Sequence, residues 1–260
     1  MVYSSIYVEF MLHYLGTFFV ADHHTGGVTP TMYVVGAAGT HLDVPASIRR
    51  SPILQTVIPD LCGHGESPGN GGTNIEHYAL DIFAVMDALD IPQANIIGHS
   101  MGGAIALTMA LIAPERVDRL ILIGVGPTMP VNGRIIRGFA DEVLATIKML
   151  VGWMWVKTTP EEVLVRGVER MQMVDPNVII GDYIACNGFD VRARLAEIET
   201  PTLVVHGDED SMIPLAEARA MQLAMPNATF LEIHEGGHMV HHEKEDIVTI
   251  SIEKWLREAN

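Results

Sequence analysis

The chain has 260 residues, 48% hydrophobic and 18% charged, which supplies a sizeable core and argues against disorder. With 32 acidic residues against 16 basic ones the formal net charge is −16, a field that repels phosphate backbones and anionic lipid surfaces, so neither nucleic acid nor a membrane is an expected partner. The two cysteines, Cys62 and Cys186, stand far apart without CxxC spacing, so no disulfide framework and no zinc site is expected.

The first notable stretch, Phe10 to Val20, is apolar but too short to cross a bilayer. It has no basic flank and no small-x-small cleavage site, so it reads as two strands at a sheet edge, and a cytoplasmic protein is expected. Thr31–Val35 reads as a strand leading into Gly36-Ala-Ala-Gly39, and Gln55–Ile58 as another ending at Pro59-Asp60. Ile75, Ala79, Ile82, Met86 and Leu89 recur at spacings of 4, 3, 4 and 3, one face of a helix, with Thr73 and Glu76 as a capping-box start. Asn95–Ile97 leads through Gly98-His-Ser-Met-Gly-Gly103 into a helix that should stop before Pro114. Leu120–Ile123, Thr202–Val205 and Thr229–Ile233 are further strands, and a helix carrying Val248, Ile252 and Trp255 closes the chain.

Strands poor in polar residues and alternating with helices imply an α/β fold, a mostly parallel sheet with helices on both faces. The alternation breaks once, between about residues 127 and 190, in a run of helical patterns without a strand. This predicts a core of residues 1–126 and 191–260 and a helical cap of residues 127–190 above the C-terminal sheet edge, where such folds bind ligands.

Gly98-His99-Ser100-Met101-Gly102 fits G-x-S-x-G between a strand and a helix. The turn is tight enough to strain Ser100, and side chains at the flanking glycines would collide, so the hydroxyl stands above the sheet at a helix N-terminus. A serine hydroxyl needs a base, and the base needs an orienting acid. Asp210 follows the Thr202–Val205 strand and His238 follows Thr229–Ile233, so both fall in loops on the same edge as Ser100, in the order Ser, Asp, His. Asp208 and Glu209 lie beside Asp210 and read as solvated loop charges. The Met101 amide, next to the nucleophile, is one expected oxyanion donor.

Over residues 31–258 the chain resembles the α/β-hydrolase superfamily in its esterase and lipase-like branch. The G-x-x-D-x-x-x-P pattern of that family matches Gly207, Asp210 and Pro214, and its G-H matches Gly237-His238. Its D-x-x-G-x-G-x-S turn matches Asp60 to Ser67, which makes His64 structural by resemblance. The resemblance assigns the second oxyanion donor to the Ala37 amide, although Val35 stands where the family usually has the loop-bracing histidine of H-G-x-x-G. Residues 1–30 match the family poorly.

His234, His238, His241 and His242 lack the thiolate or carboxylate spacing of a metal site, so no metal or other cofactor is expected. Met149, Trp153, Met154, Trp155, Met171 and Met173 form a soft apolar set within the cap. Of these Trp153 and Trp155, together with His99 and Met212, are candidate substrate contacts. The implied reaction is hydrolysis of a small to medium apolar carboxylic ester through an acyl-enzyme. Haloalkane dehalogenases and epoxide hydrolases of this fold carry Asp at the elbow, which Ser100 disfavours. Lactonases and carbon–carbon bond hydrolases remain enzymatic alternatives, and a hydrolase-derived ligand receptor with little turnover is the non-enzymatic one.

Overall fold

The computed structural model describes residues 9–24 and 29–258. Within them run the strands β1 (Glu9–Leu15), β2 (Phe18–His24), β3 (Thr29–Val34), β4 (Leu54–Pro59), β5 (Ala94–His99), β6 (Val117–Ile123), β7 (Thr202–Gly207) and β8 (Ala228–Ile233). They form a single sheet in the order β1-β2-β4-β3-β5-β6-β7-β8. From β4 to β8 all neighbours are parallel, while β1 and β2 add to the β4 edge as an antiparallel hairpin. The apolar segment near the N-terminus is this hairpin, as its length implied.

The helices in chain order are α1 (Ala46–Arg49), α2 (Ile75–Ala88), α3 (Met101–Ile112), α4 (Gly133–Asp141), α5 (Val143–Met154), α6 (Glu161–Met171), α7 (Pro176–Asn187), α8 (Leu215–Ala224), α9 (Val240–Glu243) and α10 (Glu245–Glu258). Among the described residues none is long and apolar enough to cross a membrane. Successive strand residues point to opposite faces, so the apolar strands feed two cores. Met32, Val34, Ile96, Leu120 and Leu122 pack with Ala79, Ile82 and Met86 of α2 and with α3. Their neighbours Tyr33, Ile97, Ile121 and Ile123 pack on the other face with Val248, Ile252 and Leu256 of α10. The start of α2 differs from the sequence reading by one residue. Asn74 is its N-cap and accepts from the Glu76 amide at 2.7 Å, so Thr73 lies outside the cap.

Between β6 and β7 the chain leaves the sheet for α4 to α7. An isolated bridge pairs Thr128 with Asp190, and the Val191 amide donates to Pro127 at 3.0 Å, so the insertion departs and returns at one narrow neck. Its helices share an apolar cluster that includes Phe139, Leu150, Val151 and Ile179, and Ala38 of the core joins the same cluster.

Candidate active site

β5 ends at His99 and α3 begins at Met101, leaving Ser100 to turn the chain at φ 53°, ψ −119°. That left-handed conformation costs a non-glycine residue on the order of 1–3 kcal/mol, so the surroundings must enforce it. The Ser100 amide donates to Ile123 at 2.9 Å, and its carbonyl accepts from Gly103 at 2.8 Å. The flanking glycines are required by close approach: a Cβ on Gly98 would strike the Gly102 carbonyl, and one on Gly102 would strike the Val34 carbonyl. A strand-to-helix turn this tight has the geometry of the G-x-S-x-G turn of α/β-hydrolases.

His238 is almost wholly buried, and its Nδ1 lies 2.9 Å from Asp210 Oδ2. The other carboxylate oxygen, Oδ1, accepts from the Met212 and Ile213 amides at 2.8 and 3.0 Å. Burial pushes the Asp210 carboxyl upward, but His238, the Ile213 amide and His206 outweigh it and hold the group below the usual carboxylate range. Asp208 instead bonds His234 at 2.7 Å, a pairing on the outer surface because the His234 side chain is 84% exposed. Of the neighbouring acids, Asp210 is the one joined to His238.

Ser100 and His238 both line a cavity of about 260 Å³ lying between the sheet edge and the inserted helices. Among the described residues the amides of Ala37 and Met101 have no hydrogen-bond partner within the protein. Ala37 lines the cavity beside Gly36, where an added Cβ would come within 3.2 Å of Ser100 Cβ. His99, Trp155 and Met212 also line it.

Trp153 does not. It is 41% exposed and lies outside the cavity, and Met173 is 70% exposed. The inward stripe of α5 runs through Thr146, Ile147, Leu150 and Val151 and continues to Met154, so Trp153 falls one position off it.

Besides lining the cavity, His99 holds the loop of His238, because its Nε2 donates to the His238 carbonyl at 3.0 Å. Burial pushes His99 and His241 well below the ordinary imidazole range, so both are neutral. The His99 and His241 rings lie 4.2 Å apart. Among the described residues no three ligating side chains converge on a metal position.

Sequence reasoning missed Asp182 and Tyr78, and placed His64 only as a structural residue by resemblance. Asp182 of α7 accepts from the Ala38 amide at 2.9 Å, from His64 Nε2 at 2.8 Å and from the Tyr78 hydroxyl at 2.7 Å. One signal was available, since Asp182 is the single charged residue between Asp175 and Asp190, set in an apolar run.

The sheet order, the elbow and the loops that follow β7 and β8 define an α/β-hydrolase, and a family model described as serine aminopeptidase, S33, matches residues 54–245. The chain belongs to that family. It is similar to 2-hydroxymuconate semialdehyde hydrolase of Pseudomonas putida, 29% identical over 258 residues that cover 92% of this chain and 90% of that protein. Its fold is similar to an esterase from Exiguobacterium antarcticum, with TM-score 0.86, 21% identity and 92% and 95% of the two chains covered. It is equally similar to an enol-lactonase from Burkholderia xenovorans, with TM-score 0.85, 22% identity and 96% and 98% covered. The protein is therefore a hydrolase.

Proposed function

We propose that this hydrolase cleaves carboxylic esters of small to medium apolar acyl chains, with Ser100 as nucleophile, His238 as base and Asp210 as the acid that orients it. The observation that carries the reading is the joint presence of Ser100 on its strained elbow and the Asp210-bound His238 on one cavity wall. Because His238 Nδ1 donates to a carboxylate, Nε2 is left with the lone pair a base needs. His238 takes the Ser100 proton as Oγ attacks the ester carbonyl carbon, and the resulting oxyanion accepts from the Ala37 and Met101 amides. Collapse expels the alkoxide, which takes that proton from His238. Water, deprotonated by His238, then attacks the acyl carbon, and as this second intermediate collapses the departing Ser100 oxygen takes that proton back from His238, releasing the acid. The inserted helices serve as a cap whose apolar side chains, Val151, Met154 and Trp155 among them, form the acyl side of the cavity.

The test is turnover of p-nitrophenyl acetate, butyrate and octanoate by the wild type and by Ser100→Ala. Losing the nucleophile should lower kcat by about 10⁴-fold or more in a folded protein. A folded variant that keeps a tenth of wild-type kcat would remove Ser100 from the mechanism. A lactone or carbon–carbon bond substrate is the second reading, favoured by the fold shared with an enol-lactonase and by the similarity to 2-hydroxymuconate semialdehyde hydrolase along most of both chains. Lactone turnover exceeding that of every p-nitrophenyl ester would select it.

A further inference from the structure

We propose that Asp182, on α7 of the insertion, is the positioning residue of the oxyanion loop, holding the Ala38 amide so that the preceding Ala37 amide stays aimed at the reacting oxygen. This rests on the reading of Ser100 as the acylated nucleophile.

The loop needs an external brace. Gly36 to Gly39 form a turn closed by the Gly39 amide on the Gly36 carbonyl at 3.0 Å, with Ala38 in the left-handed region at φ 59°. Turns of this kind prefer glycine at that position, so alanine stays there only if other contacts over-determine it. The family histidine that would brace the loop from within is Val35 here. The brace comes from above instead, where Asp182 Oδ2 accepts from the Ala38 amide at 2.9 Å.

The carboxylate is itself held rigidly. Asp182, His64 and Tyr78 are all buried. His64 Nε2 meets Asp182 Oδ2 at 2.8 Å, and His64 Nδ1 donates to the Cys62 carbonyl at 3.0 Å. Both ring nitrogens thus face acceptors, so both carry protons and the ring is cationic. The Tyr78 hydroxyl donates to Asp182 Oδ1 at 2.7 Å while accepting from the Gly72 amide at 2.7 Å. One buried carboxylate therefore meets three donors, and its charge is matched by an imidazolium. A pair so completed stays put, because losing any partner would leave a buried charge or donor unpaired.

The geometry transmits this to the chemistry over one peptide. The Ala37 and Ala38 amides are consecutive, and on the opposite side the Gly36 backbone packs against Ser100. A misplacement of about 1 Å at a reacting site can cost on the order of 10²-fold in rate, comparable to removing an oxyanion donor.

Asp182→Asn and Asp182→Leu, made in the full chain, test this with p-nitrophenyl butyrate and with phenylboronic acid, which forms a tetrahedral adduct on an active serine. Asparagine keeps an oxygen for the Ala38 amide if its NH₂ turns to the Tyr78 oxygen, but it loses the charge opposite His64. Leucine offers no acceptor. The expected result is a kcat about 10-fold lower for Asp182→Asn and about 100-fold lower for Asp182→Leu, with KM within about threefold and boronate affinity falling in step with kcat. If the leucine variant fails to fold, Asp182→Ala, which also offers no acceptor, takes its place. A folded variant without the acceptor that shows a lowered melting temperature but wild-type kcat and boronate affinity would overturn the positioning role. Wild-type protein that neither turns over esters nor binds the boronate would instead overturn the Ser100 reading, and this inference with it.

Discussion

Replacing Asp210 with asparagine exchanges one carboxylate oxygen for an NH₂ group, and the structure says which one. Oδ1 accepts from two backbone amides, Met212 at 2.8 Å and Ile213 at 3.0 Å. Those donors will claim the single oxygen that asparagine has, which leaves the NH₂ pointing at His238 Nδ1, 2.9 Å away in the wild type. Two donors then face each other, so His238 must move its proton to Nε2 and present Nδ1 as acceptor. That is the wrong tautomer for a base, and the imidazolium formed during reaction loses its counter-charge. Loss of the tautomer without loss of geometry is worth about 10³- to 10⁴-fold in kcat, roughly 4–5.5 kcal/mol of transition-state stabilisation at about 1.36 kcal/mol per decade. Asp208→Asn alters the exposed His234 contact and leaves the Asp210–His238 bond in place, so it should change kcat less than about twofold. The assay is kcat and KM for p-nitrophenyl butyrate on both variants, with melting temperatures to establish folding. Equal small effects at the two positions would refute the assignment of the acid.

The two tryptophans of the insertion should separate. Trp155 lines the cavity, so Trp155→Ala should shift the relative kcat/KM of acetate, butyrate and octanoate esters several-fold, given about 0.8 kcal/mol per buried methylene, whereas the exposed Trp153→Ala should leave the profile unchanged. A shifted profile from Trp153→Ala alone would mean that the cavity wall is misplaced. A pH effect follows from His64, which burial pulls down but which Asp182, the Cys62 carbonyl and Asp60 together raise above its ordinary value of 6.5. A raised pKa stabilises the fold fully below the unfolded value and progressively less as pH climbs through the folded one, so melting temperature should decline upward from about pH 6.5. In His64→Gln that alkaline decline should flatten; an identical decline in both proteins would mean that His64 is not the group responsible.

The parallel sheet could be read because its strands are continuous apolar runs bounded by turn residues, as in Leu120–Ile123 and Thr202–Val205. The elbow and the loops of Asp210 and His238 could be read because their constraints are local, with each glycine or proline within a few residues of the group it frames. The structure places the neck of the insertion at the Thr128–Asp190 bridge, two residues beyond the point where the strand pattern lapses. What stayed hidden depends on relations that local pattern does not encode. Whether Trp153 or Met154 faces inward turns on the phase of α5, and apolar residues on both sides of that phase make it ambiguous. Asp182 is 144 residues from Ala38 and 118 from His64, so nothing in the spacing joins them. A lone acid in an apolar helix shows that a buried partner must exist, but not which one.

Two carboxylates, Asp182 buried and Glu243 half-buried, tie the insertion to the loops around Ser100. Asp182 ties α7 to the loop that carries the Ala37 amide. Glu243 accepts from the Val156 amide, just past α5, at 2.8 Å, and also from the Gly237 amide beside His238. The Met239 amide adds a bond to the Met154 carbonyl at 3.1 Å. The inserted helices are thus bonded both to the loop of Ala37 and Ala38 and to the loop that carries His238. Each of these bonds uses a backbone amide, which no side-chain substitution in the core can replace, and two of the acceptors are charged, which makes their bonds about twice as strong as neutral ones. Displacing α5 or α7 would therefore disturb the proposed reacting groups directly, through Gly237 on one side and Ala38 on the other. In this hydrolase the insertion both walls the cavity and takes part in the geometry of the elbow's two neighbouring loops.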